Sequence, residues 1–145
     1  MTPPLATIGY ERATLDEVIG RLKNAGVEVL IDERAIAASR RAGISKRLLA
    51  ASLEAAGVEY RHLRALGTPK AGRIAARAGR TAEMRAIFEE QMQTPQAQLD
   101  LIEACRIAAD RPAALLCLEA DARCCHRAIV AAQMRERLHC QVVDL

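Results

Sequence analysis

The side chains best suited to chemistry crowd into one short stretch, Cys117 to Arg127. It holds Cys117, Cys124 and Cys125, three of the five cysteines, together with His126 and the carboxylates Glu119 and Asp121. An apolar run from Ala113 to Leu118 leads into it, and apolar residues at Ala128, Ile129 and Ala132 follow at helical spacing. The pattern is that of a buried strand, a loop and a helix. In an open α/β sheet, ligands bind beyond the carboxyl ends of the strands, so this junction is where a site is expected. Cys125 in the first turn of that helix would meet the positive end of the helix dipole and the charge of Arg127, both of which favour a thiolate. Cys117 is the other candidate nucleophile. Glu119 and Asp32 suit acid or base work where partly buried. Arg34, Arg40 and Arg127 offer planar forks for an anion, with Tyr10, Ser39 and His126 as further substrate contacts. The chemistry expected is a thiol- or carboxylate-dependent reaction on a small anionic substrate, phosphate-bearing or nucleotide-like.

Each of these residues also has a plainer use. Cys117 on a buried strand can be a small core residue, and Asp32 can pair with Arg34, Arg40 or Arg127 simply to join loops. Cys117 to Arg123 matches a phosphate-cradling Cys-x5-Arg loop. Here, though, the cradle contains Glu119 and Asp121 and no glycine, so its charge has the wrong sign for an anion nest. Cys117, Cys124, Cys125 and His126 have the atom types of a zinc site but lack a second separated Cys-x2–4-Cys pair. The alternatives to an enzyme are therefore a nucleotide or nucleic-acid binding module without catalysis, or a structural polar network or zinc site. No cofactor is named by any motif.

The elements that must position these residues are readable in order. Leu5 to Gly9 predicts a first strand. Thr14-Leu15-Asp16-Glu17 is a capping box opening a helix through Val18, Ile19 and Leu22, which Gly26 ends. Val27 to Ile31 is the clearest strand and runs into Asp32-Glu33-Arg34; the first strand, the helix and this strand form a βαβ unit with parallel pairing expected. The connection 35–43 leads to a helix capped by Ser45, with Leu48, Leu49 and Leu53 and a stop at Gly57. Val58 to His62 predicts a third strand. The stretch 64–80, with Gly67, Pro69, Gly72 and Gly79 among five basic residues, has no consistent period and reads as a mobile basic loop or lid. Helices are expected from Thr81 through Met92 and from Thr94-Pro95 through Ala108, then from about Arg123 to Leu138. Gln141 to Asp144 closes as a short strand. Strands alternating with helices predict a single three-layer α/β domain with a mainly parallel sheet, in which Tyr10, Asp32, His62 and Cys117 share one edge.

The 145 residues are 51% hydrophobic but only 2% aromatic, so the core must be built of Leu, Ile, Val and Ala, and a disordered chain is excluded. No apolar run approaches a membrane span and no secretory signal is visible, so a cytoplasmic location is expected, with no membrane partner. Five cysteines without framework spacing suit buried thiols or a reactive thiol in a reducing compartment. The net charge of +3 hides an asymmetry. Between Arg34 and Arg85 stand twelve Lys or Arg and three Glu, a balance of +9, while the rest of the chain carries −6. A basic middle suits an anionic partner, a small molecule or nucleic acid.

Several motifs carry a family resemblance: Thr7-Ile8-Gly9-Tyr10-Glu11, Leu30-Ile31-Asp32-Glu33-Arg34, Ser39-Arg40-Arg41, Gly57-Val58-Glu59-Tyr60 and Leu66-Gly67. With the closing Cys-x-Glu and Cys-His-Arg signature at Cys117, Glu119, Cys125, His126 and Arg127, they resemble the domain-of-unknown-function 488 family. The resemblance implies a small bacterial or archaeal α/β protein and no stated activity. Two departures stand out: Glu33 replaces the family's usual Val, and no proline precedes Ser39, which leaves that loop less rigid. The signature uses the second cysteine of the pair, so Cys124 is incidental to it.

Overall fold

The computed structural model describes residues 2–39, 41–118 and 126–145. Five strands, β1 (Leu5–Gly9), β2 (Val29–Asp32), β3 (Glu59–His62), β4 (Ala113–Cys117) and β5 (Val142–Asp144), form one sheet in the order β3-β2-β4-β1-β5. Every pairing is parallel. The α/β class and the parallel sheet expected from the alternation of elements are what the structure shows.

Strand composition explains the order. All residues of β1, β2 and β4 are buried, and parallel strands covered on both faces read as continuous apolar runs. The strands richest in polar residues, Glu59-Tyr60-Arg61-His62 and the short β5, take the two edges. One expectation is corrected here. β1 and β2 are parallel but do not pair, because β4, wholly buried, lies between them and bonds to both. A βαβ pattern gives the sense of two strands but not what enters between them.

Side chains alternate between two cores. Ala6, Ile8, Leu30, Ala114 and Leu116 pack beneath α1 (Leu15–Asn24) and α2 (Lys46–Ala55). Leu5, Val29, Ile31, Ala113 and Leu115 face the other way, onto α3 (Lys70–Arg77), α4 (Thr81–Met92), α5 (Pro95–Asp110) and α6 (Arg127–Leu138). With so few aromatics, Phe88 is the largest hydrophobic residue in that second core, fully enclosed with Met84, Met92 and Leu101.

Helix starts follow the local chemistry in two of three cases. The Thr14 side chain accepts from the Glu17 amide at 3.1 Å, and Thr94 accepts from the Ala97 amide at 3.2 Å with Pro95 in the first turn. Ser45 stands at the N-cap of α2 but makes no capping bond. Its hydroxyl accepts from the Ser39 amide and donates to the Ser39 carbonyl, closing the connection before the helix.

The stretch 64–80 differs most from expectation. It carries a 3-10 turn at Arg64–Leu66 and the helix α3, not a loop. The period was obscured because α3 buries small residues, Gly72 and Ala75, between basic ones. Two glycines that look like breakers are close approaches instead. A Cβ on Gly72 would stand 2.4 Å from Thr68 Cγ2, and one on Gly67 would stand 2.2 Å from the backbone nitrogen of Ala35. The second contact brings the turn before α3 against the segment after β2, backbone to backbone.

Gly67→Ala is expected to destabilise the fold by about 1–3 kcal/mol or more, since the atom it strikes belongs to backbone that cannot rotate away. Gly20→Ala, in the interior of α1 with nothing within 4 Å, should stabilise by about 0.5–1 kcal/mol. Urea unfolding midpoints of the two variants should move in opposite directions; a shift in the same direction would refute the close-approach reading.

Candidate functional site

The strand connections leave on opposite sides of the sheet. β1 and β2 lead to α1 and α2 on one face, whereas β4 leads towards α6 on the other. β4 is flanked by strands whose chains depart the other way, so a crevice opens at its carboxyl end, the switch point at which α/β sheets bind ligands. A cavity of about 280 Å³ lies there. Tyr10, Arg34 and Cys117 reach it from the ends of β1, β2 and β4, and His126 from the start of α6. Thr68, Arg73, Ala76 and Arg77 close it from the α3 side, with Met84 from α4.

Asp32 is fully enclosed. Its Oδ1 accepts from the Arg34 amide at 3.1 Å and Arg34 Nε at 2.8 Å; its Oδ2 accepts from Arg34 Nη2 at 2.7 Å and the Tyr60 hydroxyl at 2.5 Å. Four donors engage the carboxylate that the sequence offers as an acid or base, so in this arrangement it fixes a guanidinium. Burial alone would lower the Arg34 pKa, but the hydrogen bonds and charge of Asp32 outweigh it and raise the value. Burial and the Asp32 carboxylate both raise the Tyr60 pKa, keeping the phenol a donor. The Arg34 guanidinium lies 5.3 Å from the centre of the Tyr10 ring, and its Nη1 reaches the Tyr10 hydroxyl at 3.5 Å. The Arg34 carbonyl accepts from His62 Nε2 at 2.7 Å. Tyr60 and His62, two apart on the edge strand, thus hold the side chain and the backbone of this segment.

His126 is the N-cap of α6 and nearly enclosed. Its Nε2 lies 3.3 Å from the Glu33 carbonyl and 3.9 Å from Glu33 Oε1, and its ring tilts against Phe88 with centroids 5.2 Å apart. Burial first, and then the neighbouring Arg127, push its pKa down to about 4 against the opposing pull of the Glu33 carbonyl. The imidazole is neutral at pH 7 and adds no charge to the cavity.

Arg127, expected to clamp an anion, is fully buried, and its Nη1 donates to Cys117 Sγ at 3.2 Å. It does not line the cavity. Cys117 does, but it is disulfide-bonded and not a free thiol. Ser39, expected at the substrate, is taken up locally: its hydroxyl accepts from the Arg41 amide at 3.1 Å and its backbone is tied to Ser45. Arg40, Glu119 and Cys125 lie outside the described residues, as does Cys124 of the zinc alternative. Among the described residues no three His, Cys, Asp or Glu side chains cluster as a metal set.

The structure brings Tyr10, Arg34, Cys117 and His126 together and supplies partners that sequence reasoning missed. Tyr60 was legible only as part of a resembling motif. Arg73 and Arg77 were present in the basic balance of residues 34–85, but without the helix that sets them four apart nothing aimed them at a site.

Asp32→Ala should cost about 3–5 kcal/mol, because it leaves the Arg34 charge buried without its counter-ion, whereas Tyr60→Phe should cost only about 1 kcal/mol; equal small losses in denaturant midpoint would show the pair to be unimportant. His126 titrates lower folded than unfolded, so as the pH drops from its ordinary value of 6.5 to about 4 the unfolded chain binds the extra proton and stability is lost, by roughly 3 kcal/mol at most. His126→Gln should flatten the stability–pH curve in that window, and an unchanged slope would exclude a buried neutral imidazole.

One family model, described as a domain of unknown function, DUF488, matches residues 14–134. No curated protein and no solved structure matches the chain. No helix among the described residues is long and apolar enough to cross a membrane. The matched span takes in β2, β3, β4 and most of the cavity wall, and on that extent the chain belongs to the DUF488 family.

Proposed function

We propose that the protein binds a small anionic molecule in the cavity at the carboxyl edge of its sheet. One observation carries this reading: three guanidinium-bearing residues, Arg34, Arg73 and Arg77, converge on a cavity of about 280 Å³ that has no carboxylate among its described lining residues. Arg34 already has Asp32 as its counter-ion, but a bound anion would meet the charges of Arg73 and Arg77. Arg34 is held by Asp32, which removes much of the entropy cost of aligning its fork on a ligand. Arg73 is steadied in turn by its Nη1 bond to the Thr68 carbonyl at 2.8 Å.

The geometry favours recognition over any particular reaction. Asp32 is engaged by four donors, Cys117 is disulfide-bonded and Arg127 is enclosed. Catalysis at Glu119 or Cys125, which follow β4 in sequence, would be a consequence of that binding. A nucleic-acid interface is less favoured. The arginines face a concavity, and the one tyrosine that could stack a base has a guanidinium over its ring.

Binding to the folded state raises the unfolding temperature by mass action. Phosphate, compared with chloride at equal ionic strength, should raise the Tm of the wild type, and the Arg73→Gln/Arg77→Gln variant should lose most of that rise. The reading fails if phosphate gives no rise, or if the variant responds as fully as the wild type.

A further inference from the structure

Resting on the anion-pocket reading, we propose that the ligand is a small aliphatic phosphomonoester: a dianionic phosphoryl head on a short, non-aromatic body. Charge selects the head. With His126 neutral and Arg34 paired to Asp32, the charge left unmet on the described wall is that of Arg73 and Arg77. A monocarboxylate would leave half of that charge uncompensated. A phosphomonoester brings roughly −1.5 to −2 near neutral pH and three strong acceptor oxygens, which match guanidinium forks arriving from separate elements. Arg34 comes from the end of β2 and Arg73 and Arg77 from α3, so one tetrahedral group can be held from two sides.

The uncharged part of the wall selects the body. Ile36, Met84 and Leu118 line it, two of them with side chains left open to water: Ile36 is 60% exposed and Leu118 45%. A short alkyl chain seated against them would remove apolar surface from water on both partners. A nucleobase finds no comparable platform. The Tyr10 ring is covered by Arg34, and the His126 ring packs on Phe88. The size agrees, since about 280 Å³ lies just under the roughly 300–1,000 Å³ typical of sites for drug-sized molecules.

Calorimetric titration of the full chain with n-butyl phosphate, inorganic phosphate, butyrate and adenosine monophosphate tests this. Burying two or so methylenes corresponds to about a 10-fold gain, so butyl phosphate should bind about 10-fold tighter than inorganic phosphate, and also tighter than butyrate and adenosine monophosphate. Ile36→Ser, at an exposed position outside the core, should weaken butyl phosphate several-fold more than it weakens inorganic phosphate. Equal binding of butyl phosphate and inorganic phosphate overturns the aliphatic body. Butyrate binding as tightly overturns the dianionic head, and tightest binding of adenosine monophosphate replaces the inference with a nucleotide site; in all three cases the anion pocket stands. Binding of none of the four removes both the pocket reading and this one.

Discussion

A charge enclosed in protein must find its counter-charge, and in this molecule that requirement organises the end of the sheet. Asp32, the last residue of β2, has no exposed surface, and Arg34 two residues on returns to it with a two-pronged grip. The alternating geometry of a strand would normally send the chain straight on. The pair folds it back, so that Ala35 and Ile36 turn along the rim of the cavity while the guanidinium stays at its wall. Tyr60 and His62 then fasten the same segment from the edge strand. A buried ion pair is a weak source of net stability, because desolvation offsets most of its attraction. Its contribution here is geometric: one conformation of the segment satisfies all four donors to Asp32, and others strand a charge.

The second constraint is topological. β4 is the most completely apolar strand and takes the centre of the sheet, although it arrives fourth in the chain. Its insertion between β1 and β2 puts a strand whose chain leaves on one face between two whose chains leave on the other. That divergence opens the crevice, and the α3–α4 hairpin roofs it. The roof depends on small residues. Gly67 lets the turn before α3 meet the Ala35 backbone, and Gly72 lets α3 close on Thr68 and Ile87. Larger side chains at those positions would hold the roof, with Arg73 and Arg77, away from Arg34.

Polarity is then distributed by burial. Arg127 and His126 both sit at the start of α6, yet the first is turned wholly inward to Cys117 and the second is held neutral beside Glu33. Among the described residues, the positive charge facing the cavity therefore comes from the end of β2 and from α3, while Cys117 and His126 line the same cavity without adding charge.

By itself the sequence determined the class of fold, and the strands and all but one helix to within a few residues, because strand and helix periods, caps and apolar runs are local properties. Thr14 and Thr94 cap as their neighbours dictate. The nearness of Tyr10, Arg34 and Cys117 also follows from parallel strands ending at one edge. What tertiary structure alone decided was which polar groups are spent on one another and which face the cavity. Ser45 gives its hydroxyl to Ser39 instead of its own helix, Asp32 is consumed by Arg34 and Tyr60, and Arg127 is enclosed. Those outcomes depend on which donors the fold brings together, Tyr60 reaching Asp32 from 28 residues away, and on desolvation, which local pattern does not contain. The helix at 70–77 became legible only once small residues had a surface to pack against, and with it came the two arginines that complete the wall.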